Sequence, residues 1–259
     1  MTESDNYLLS ILQKYKPHDI SIYEVYSIPE LKGIIKTWAS KCFIEITNSG
    51  SRAKGTAISI ASDVDYLVSL SNDCPDTLKD IYNSLFNTIK SRYTIVRKQN
   101  VSVRVKVSDL EIDITPARKL PGNTNNHNLY VSKQETWKQT NIQKHINDVS
   151  QSGRLNEIKI LKIWRELNQL DFPSIYLEYL LIDGILSGKS KDNDYLARNV
   201  WYVLEQLSKD MANPLFSRIV DPANSANILS DLLAQTEKNK IIAKAKISAS
   251  QQYWSNIIW

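Results

Sequence analysis

Apolar residues along this chain recur first at helical spacing, then at strand spacing, then at helical spacing again. Leu8, Leu9, Ile11 and Leu12 predict an amphipathic helix over residues 5 to 15. Leu31, Ile34, Ile35 and Trp38 predict a second over 28 to 39. Phe43-Ile44-Glu45-Ile46 reads as a first strand, and the run from Val64 to Val68 as another. A helix over 76 to 93 carries Leu78, Ile81, Tyr82, Leu85 and Ile89 on one face, with Asp76 as its expected cap. Thr94-Ile95-Val96 starts a further strand. Val101, Val103, Val105 and Val107 then alternate with Ser102, Arg104 and Lys106, and Leu110 to Ile114 alternates again before Thr115-Pro116. These last two runs predict a hairpin. Residues 119 to 128 are rich in turn formers and mark a seam. From about residue 140 the spacing is helical throughout: 155–170, 174–186, 194–208 and 236 to the C-terminus. The expected class is α+β, with a mixed sheet and helices over residues 1–140 and an all-helical lobe over 141–259.

Polar residues placed inside this pattern carry the candidate chemistry. Gly50-Ser51 lies between the first two strands; glycine takes positive φ without strain and lets backbone N–H groups approach a phosphate, and Ser51 adds a hydroxyl donor. Asp63 and Asp65 sit in alternation on the second strand, so both point to one face, about 7 Å apart along it. Such a pair suits two divalent cations beside a triphosphate. The next alternating strand offers a third carboxylate. Asp113 lies between Ile112 and Ile114 and shares a face with Glu111. Either side chain suits the position, although Glu111 reads more simply as part of an exposed strand face.

Gly-Ser, Asp-x-Asp about a dozen residues later, and an apolar-Asp-apolar strand together resemble the DNA polymerase β-type nucleotidyltransferase superfamily. Within it the chain is most similar to the branch of the oligoadenylate synthetases and cGAS-like (CD-NTase) enzymes. Leu161-Lys162-Ile163-Trp164 resembles a spine-helix segment whose lysine reaches the triphosphate, and Pro173 to Leu180 a helix whose aromatic residue, here Tyr176, lies against the donor base. Ile219 to Asn227 resembles the Asp-Pro-Ala segment of oligoadenylate synthetases. The resemblance implies a polymerase β-like palm and a helical lobe with nucleotide between them. It implies that Asp63, Asp65 and Asp113 are catalytic and hold two Mg²⁺ ions (or Mn²⁺), and that Gly50, Ser51, Lys162 and Tyr176 bind the nucleoside triphosphate. Lys159, one turn earlier than Lys162, is a second candidate.

The implied reaction joins (deoxy)nucleoside triphosphates, ATP or dATP first, into a short oligonucleotide signal with release of pyrophosphate. The role expected by resemblance is bacterial antiphage defence, with an effector protein responding to the product. A cyclic product, or transfer of nucleotides to tRNA or a protein, are the alternatives. The aromatic tail from Tyr253 to Trp259 also resembles the Hailong defence nucleotidyltransferases, which makes the Tyr253 hydroxyl a candidate primer.

Composition sharpens this in three ways. A net charge of +4, from 32 basic and 28 acidic residues, lacks the clustered excess of a duplex-binding surface. Two cysteines in 259 residues imply no disulfide framework, and no His/Cys spacing suggests zinc. The acidic N-terminus lacks the marks of a secretion signal, and no apolar run approaches the roughly 20 residues that cross a bilayer. A cytoplasmic protein without membrane insertion is expected.

Overall fold

The computed structural model describes residues 1–61, 63–122 and 124–259; Ser62, at the head of the Asp63–Asp65 motif, and Asn123, in the turn-rich seam, lie outside the described residues. The first elements are α1 (Glu3–Lys14), α2 (Ser21–Val25), α3 (Ser27–Ala39), β1 (Phe43–Ser49), α4 (Gly50–Lys54), β2 (Val64–Leu70) and α5 (Leu78–Lys90). There follow β3 (Val96–Lys98), β4 (Val103–Val107), β5 (Leu110–Lys119), β6 (His127–Val131), β7 (Thr136–Thr140) and α6 (Ile142–Ser150). The remainder comprises α7 (Leu155–Leu167), α8 (Ser174–Tyr179), α9 (Leu196–Leu207), β8 (Val220–Asp221), β9 (Asn224–Ile228) and α10 (Gln235–Ala249).

The chain forms two compact units. The sheet unit holds residues 18–54 and 62–146; the helical unit holds 1–17, 55–61 and 147–259. This differs from a division at residue 140, because Leu8, Ile11 and Tyr15 of the N-terminal segment and Ile58 share one core with the late helices. Sequence order could not reveal that return.

In the sheet unit the strand order is β1-β2-β5-β4-β3, with β6 on β5 and β7 on β6. β2 and β5 run parallel; their other pairings are antiparallel. One face is apolar: Val64, Tyr66 and Val68 of β2, Val103, Val105 and Val107 of β4, and Ile112 and Ile114 of β5 form a core with Leu31 and Ile35 of α3 and Ile81, Leu85 and Ile89 of α5. Period-2 alternation sends the intervening residues to the opposite face. The cap of α5 is Thr77, whose Oγ1 accepts from Asp80 N at 3.1 Å, rather than Asp76. β5 runs on past Thr115-Pro116 to Lys119. Pairing with β4 ends at Ile114 and pairing with β6 starts at Arg118, so the missing Pro116 N–H breaks no ladder on that side.

The helical unit is built on α7, in which Glu157, Ile158 and every residue from Ile160 to Arg165 are buried. It is not all-helical: β8 and β9 form a short hairpin within the Asp-Pro-Ala segment. Asp221 organises it, accepting from Ala223 N at 2.9 Å and from Asn227 Nδ2 at 3.2 Å. Among the described residues, no helix is long and apolar enough to cross a membrane.

Candidate active site

The face of the sheet away from α3 and α5 gathers the carboxylates. Asp65 and Asp113 are direct partners in the parallel β2–β5 register, and neighbouring strands lie about 4.8 Å apart. Asp63 precedes β2. Gly50 stands at the end of β1 with φ +64°, and a Cβ built on it would fall 1.8 Å from Asp65 Oδ2. Glycine is therefore required twice, for its backbone angle and for the room it leaves the carboxylate. Ser51 follows, half-buried, with no hydrogen-bond partner for its hydroxyl among the described residues.

One side chain outside the expected set organises this face. Arg104, opposite Asp113 in the β4–β5 register, donates from Nε to Asp113 Oδ1 at 2.7 Å and from Nη2 to Oδ2 at 2.6 Å. Nη2 also donates to Asp63 Oδ2, and Nη1 to Glu111 Oε2 at 2.8 Å. Burial raises the Asp63 carboxyl above its ordinary value, against the pull of Arg104. Asp65 is pushed up to about 6, first by burial and then by the negative charges of Asp113 and Asp63. Arg52 is a second residue outside the expected set. It lines a cavity with Asn48, Ser49, Asp65 and Tyr66, and its buried Nε has no hydrogen-bond partner among the described residues.

These residues fit divalent cations in donor chemistry: hard carboxylate oxygens gathered on one face, with burial and then the neighbouring negative charges raising the Asp65 carboxyl. Among the described residues no three His, Cys, Asp or Glu side chains stand ready to ligate one ion.

Three other expected site residues lie in the helical unit. Lys162 is buried, contrary to expectation, because α7 has no solvent face at that position. Its ammonium pairs with Glu178 Oε1 at 2.8 Å and donates to Thr56 Oγ1 at 2.8 Å. Tyr176 is fully buried, its hydroxyl donating to Leu215 O at 2.9 Å and its ring 5.5 Å from that of Phe172. It is a core aromatic with no face left for a base. Tyr253 lies beyond the end of α10, 67 % exposed, and among the described residues its hydroxyl has no partner. Lys159 is half-buried, with no ion-pair partner among the described residues, and burial lowers its pKa.

The chain is similar to several known proteins. Residues 24–152 match the family of Second Messenger Oligonucleotide or Dinucleotide Synthetase (SMODS) domains. The cyclic AMP-AMP-AMP synthase of Escherichia coli (strain MS 115-1) is 26% identical over 204 residues, covering 71% of this chain and 63% of that protein. The chain thus aligns with less than two thirds of that relative's length. The E. coli MS115-1 CdnC structure, solved in complex with HORMA-deltaN, superposes with a TM-score of 0.70 at 20% identity, covering 95% of this chain and 89% of that one. Bradyrhizobium diazoefficiens CD-NTase CdnG, solved with GTP, gives a TM-score of 0.74 at 11% identity, over 96% and 91%. At these identities the superpositions speak to fold. The chain thus shares the fold of these CD-NTase structures and over residues 24–152 is similar to the SMODS family, which supports the resemblance to the cGAS-like (CD-NTase) branch.

Proposed function

We propose that this protein joins nucleoside triphosphates into a short oligonucleotide, by attack of a hydroxyl on an α-phosphorus with release of pyrophosphate. The observation that carries this reading is the parallel register of Asp65 with Asp113 beside Gly50. Asp63, Asp65 and Asp113 hold two Mg²⁺ or Mn²⁺ ions. When bound, such ions stabilise the charge on the attacking and leaving oxygens. Gly50 keeps the backbone open to the β- and γ-phosphates, and the Ser51 hydroxyl donates to them. Asp113 accepts the proton of the attacking hydroxyl. Because Lys162 pairs with Glu178, Lys159 one turn earlier is proposed for the triphosphate role that the resemblance gives to a lysine.

ATP is the proposed substrate, dATP the second choice, because the E. coli relative is named for an adenylate product and CdnC was solved with ATP. That name also favours a cyclic product as the second reading beside a linear oligomer primed on Tyr253. Defence signalling through an effector protein, in the cytoplasm, completes the proposal; CdnC itself was solved with a HORMA partner. The test is incubation with each α-labelled NTP and dNTP in Mg²⁺, separating small products from labelled macromolecules, with and without phosphodiesterase and phosphatase. Labelled small oligonucleotides made by wild type and not by Asp65→Asn are expected. Label confined to added tRNA or protein would replace the reading with macromolecular transfer, and no incorporation at all with a binding module.

A further inference from the structure

We infer that Arg104 is the resting counter-ion of the carboxylate cluster, and that a divalent cation has to displace it from Asp63 and Asp113 in order to bind. The inference rests on the proposed role of those carboxylates as metal ligands.

The argument starts from donor arithmetic. A guanidinium has five N–H donors in a rigid planar fork. Four hydrogen bonds from Arg104 are directed at carboxylates, two to Asp113, one to Asp63 and one to Glu111. Both Asp113 oxygens are engaged at once, in the bidentate geometry that arginine matches and lysine does not. The side chain is 18% exposed, so solvent screens these contacts weakly. Two of the three proposed ligands are therefore already occupied by a cation that belongs to the protein.

Arg104 and a bound ion compete for the same lone pairs, and they also repel. A unit charge and a divalent charge a few ångströms apart on one carboxylate edge repel strongly in a half-buried site. Glu111 supplies the way out. It lies two residues from Asp113 on the same strand face, already accepts from Nη1, and is not among the proposed ligands. The guanidinium can leave Asp63 and Asp113 by turning onto Glu111 without becoming an unpaired buried charge. A triphosphate arriving with its ion offers a second anionic landing place. Arg104 thus makes ion loading conditional: an ion alone competes against the arginine, whereas an ion carried by nucleotide also brings the charge that rehouses it.

The experiment titrates Mn²⁺ into full-length protein without nucleotide, following free Mn²⁺ by electron paramagnetic resonance. Wild type, Arg104→Gln and Asp65→Asn are compared. Arg104→Gln is expected to bind Mn²⁺ at least tenfold more tightly than wild type, and its melting temperature to be lower than wild type in EDTA but to rise more on adding Mn²⁺. Affinity equal to or below wild type would overturn the inference. Asp65→Asn should lose Mn²⁺ binding; retention would overturn the carboxylate reading instead, so the two failures are distinct. Should Arg104→Gln fold poorly, the wild-type Arg104 Nε–H resonance, assigned with Arg104→Lys, serves in its place. It should shift on Mg²⁺ titration, and an unmoved resonance at saturation would overturn the inference.

Discussion

Gly50 and Asp65 occupy one another's space: a methyl group on the glycine would sit 1.8 Å from the carboxylate oxygen. The conformation of β1's last turn and the position of a candidate metal ligand on β2 are therefore one constraint. Gly50→Ala should lower the melting temperature, since positive φ alone costs an alanine about 1–2 kcal/mol. It should also cut nucleotide incorporation about a hundredfold, equivalent to ~3 kcal/mol of transition-state stabilisation. Calorimetry beside a labelled-nucleotide assay checks both; normal turnover would separate the turn from the site.

Asp63→Asn and Asp65→Asn should each reduce incorporation at least about a thousandfold, or ~4 kcal/mol, because an amide removes a ligand charge. The fold should survive in both. A variant with near-native turnover and an unchanged melting temperature would remove that residue from the catalytic set.

Stability in EDTA should depend on pH through Asp65. Its native pKa is raised from 3.8 to about 6. Between those values the native state holds a proton that the unfolded chain has released, so this contribution to stability falls as pH rises and is fully lost above about 6. The loss at pH 7.5 is up to about 3 kcal/mol. Asp65→Asn should therefore be more stable than wild type at pH 7.5 and no more stable at pH 4. Urea melts at the two pH values check this; the same ordering at both would contradict the raised value.

Lys162→Met should be destabilising by about 3 kcal/mol, since it strands the buried Glu178 carboxylate next to Thr56. Lys162→Met combined with Glu178→Leu should recover much of that loss. Lys159→Ala should instead lower turnover with little change in the urea midpoint. Equal stability losses for the two lysines would assign both to packing.

Tyr253→Phe keeps the ring and deletes an exposed hydroxyl, so its melting temperature should not move. If synthesis starts on that hydroxyl, intact-mass spectrometry after incubation with nucleotide should find ladder-like additions on wild type and none on the variant. Product made by a wild-type protein that never gains mass would end the primer role.

The carboxylates were legible in the sequence because strand periodicity is rigid: Asp65 among Val64, Tyr66 and Val68, and Asp113 between two isoleucines, could face only one way. Arg104 was legible too, though missed. A two-residue turn at Ser108-Asp109 joins Val107 to Leu110 and sets the hairpin register, which brings Arg104 opposite Asp113. The pairing of Asp65 with Asp113 was not legible, because it depends on contact between strands far apart in sequence. The burial of Lys162 and Tyr176 was not legible for a different reason. Helical spacing locates a residue on a face, but α7 is buried almost all round and leaves that face no solvent. The strands β6 to β9 escaped notice because none carries a long apolar alternation: β6 runs Leu129, Tyr130 and Val131 together, β7 and β9 are mostly polar, and β8 has two residues, so their pairing rests on backbone ladders and on local contacts such as those of Asp221.

The parallel β2–β5 pair also dictates an order in time. The β4–β5 hairpin closes through a two-residue turn and can form within microseconds, delivering Arg104 to Asp113 early. Asp65 cannot join them until α5, β3 and β4 have been laid down and β2 has docked, a non-local step that pays its loop-closure entropy before any contact rewards it. Like charges then meet last, at the slowest-formed seam of the sheet. A folding chain therefore brings Asp65 beside Asp113 only once the intervening strands of this unit are in place, whereas Arg104 can meet Asp113 within the hairpin alone.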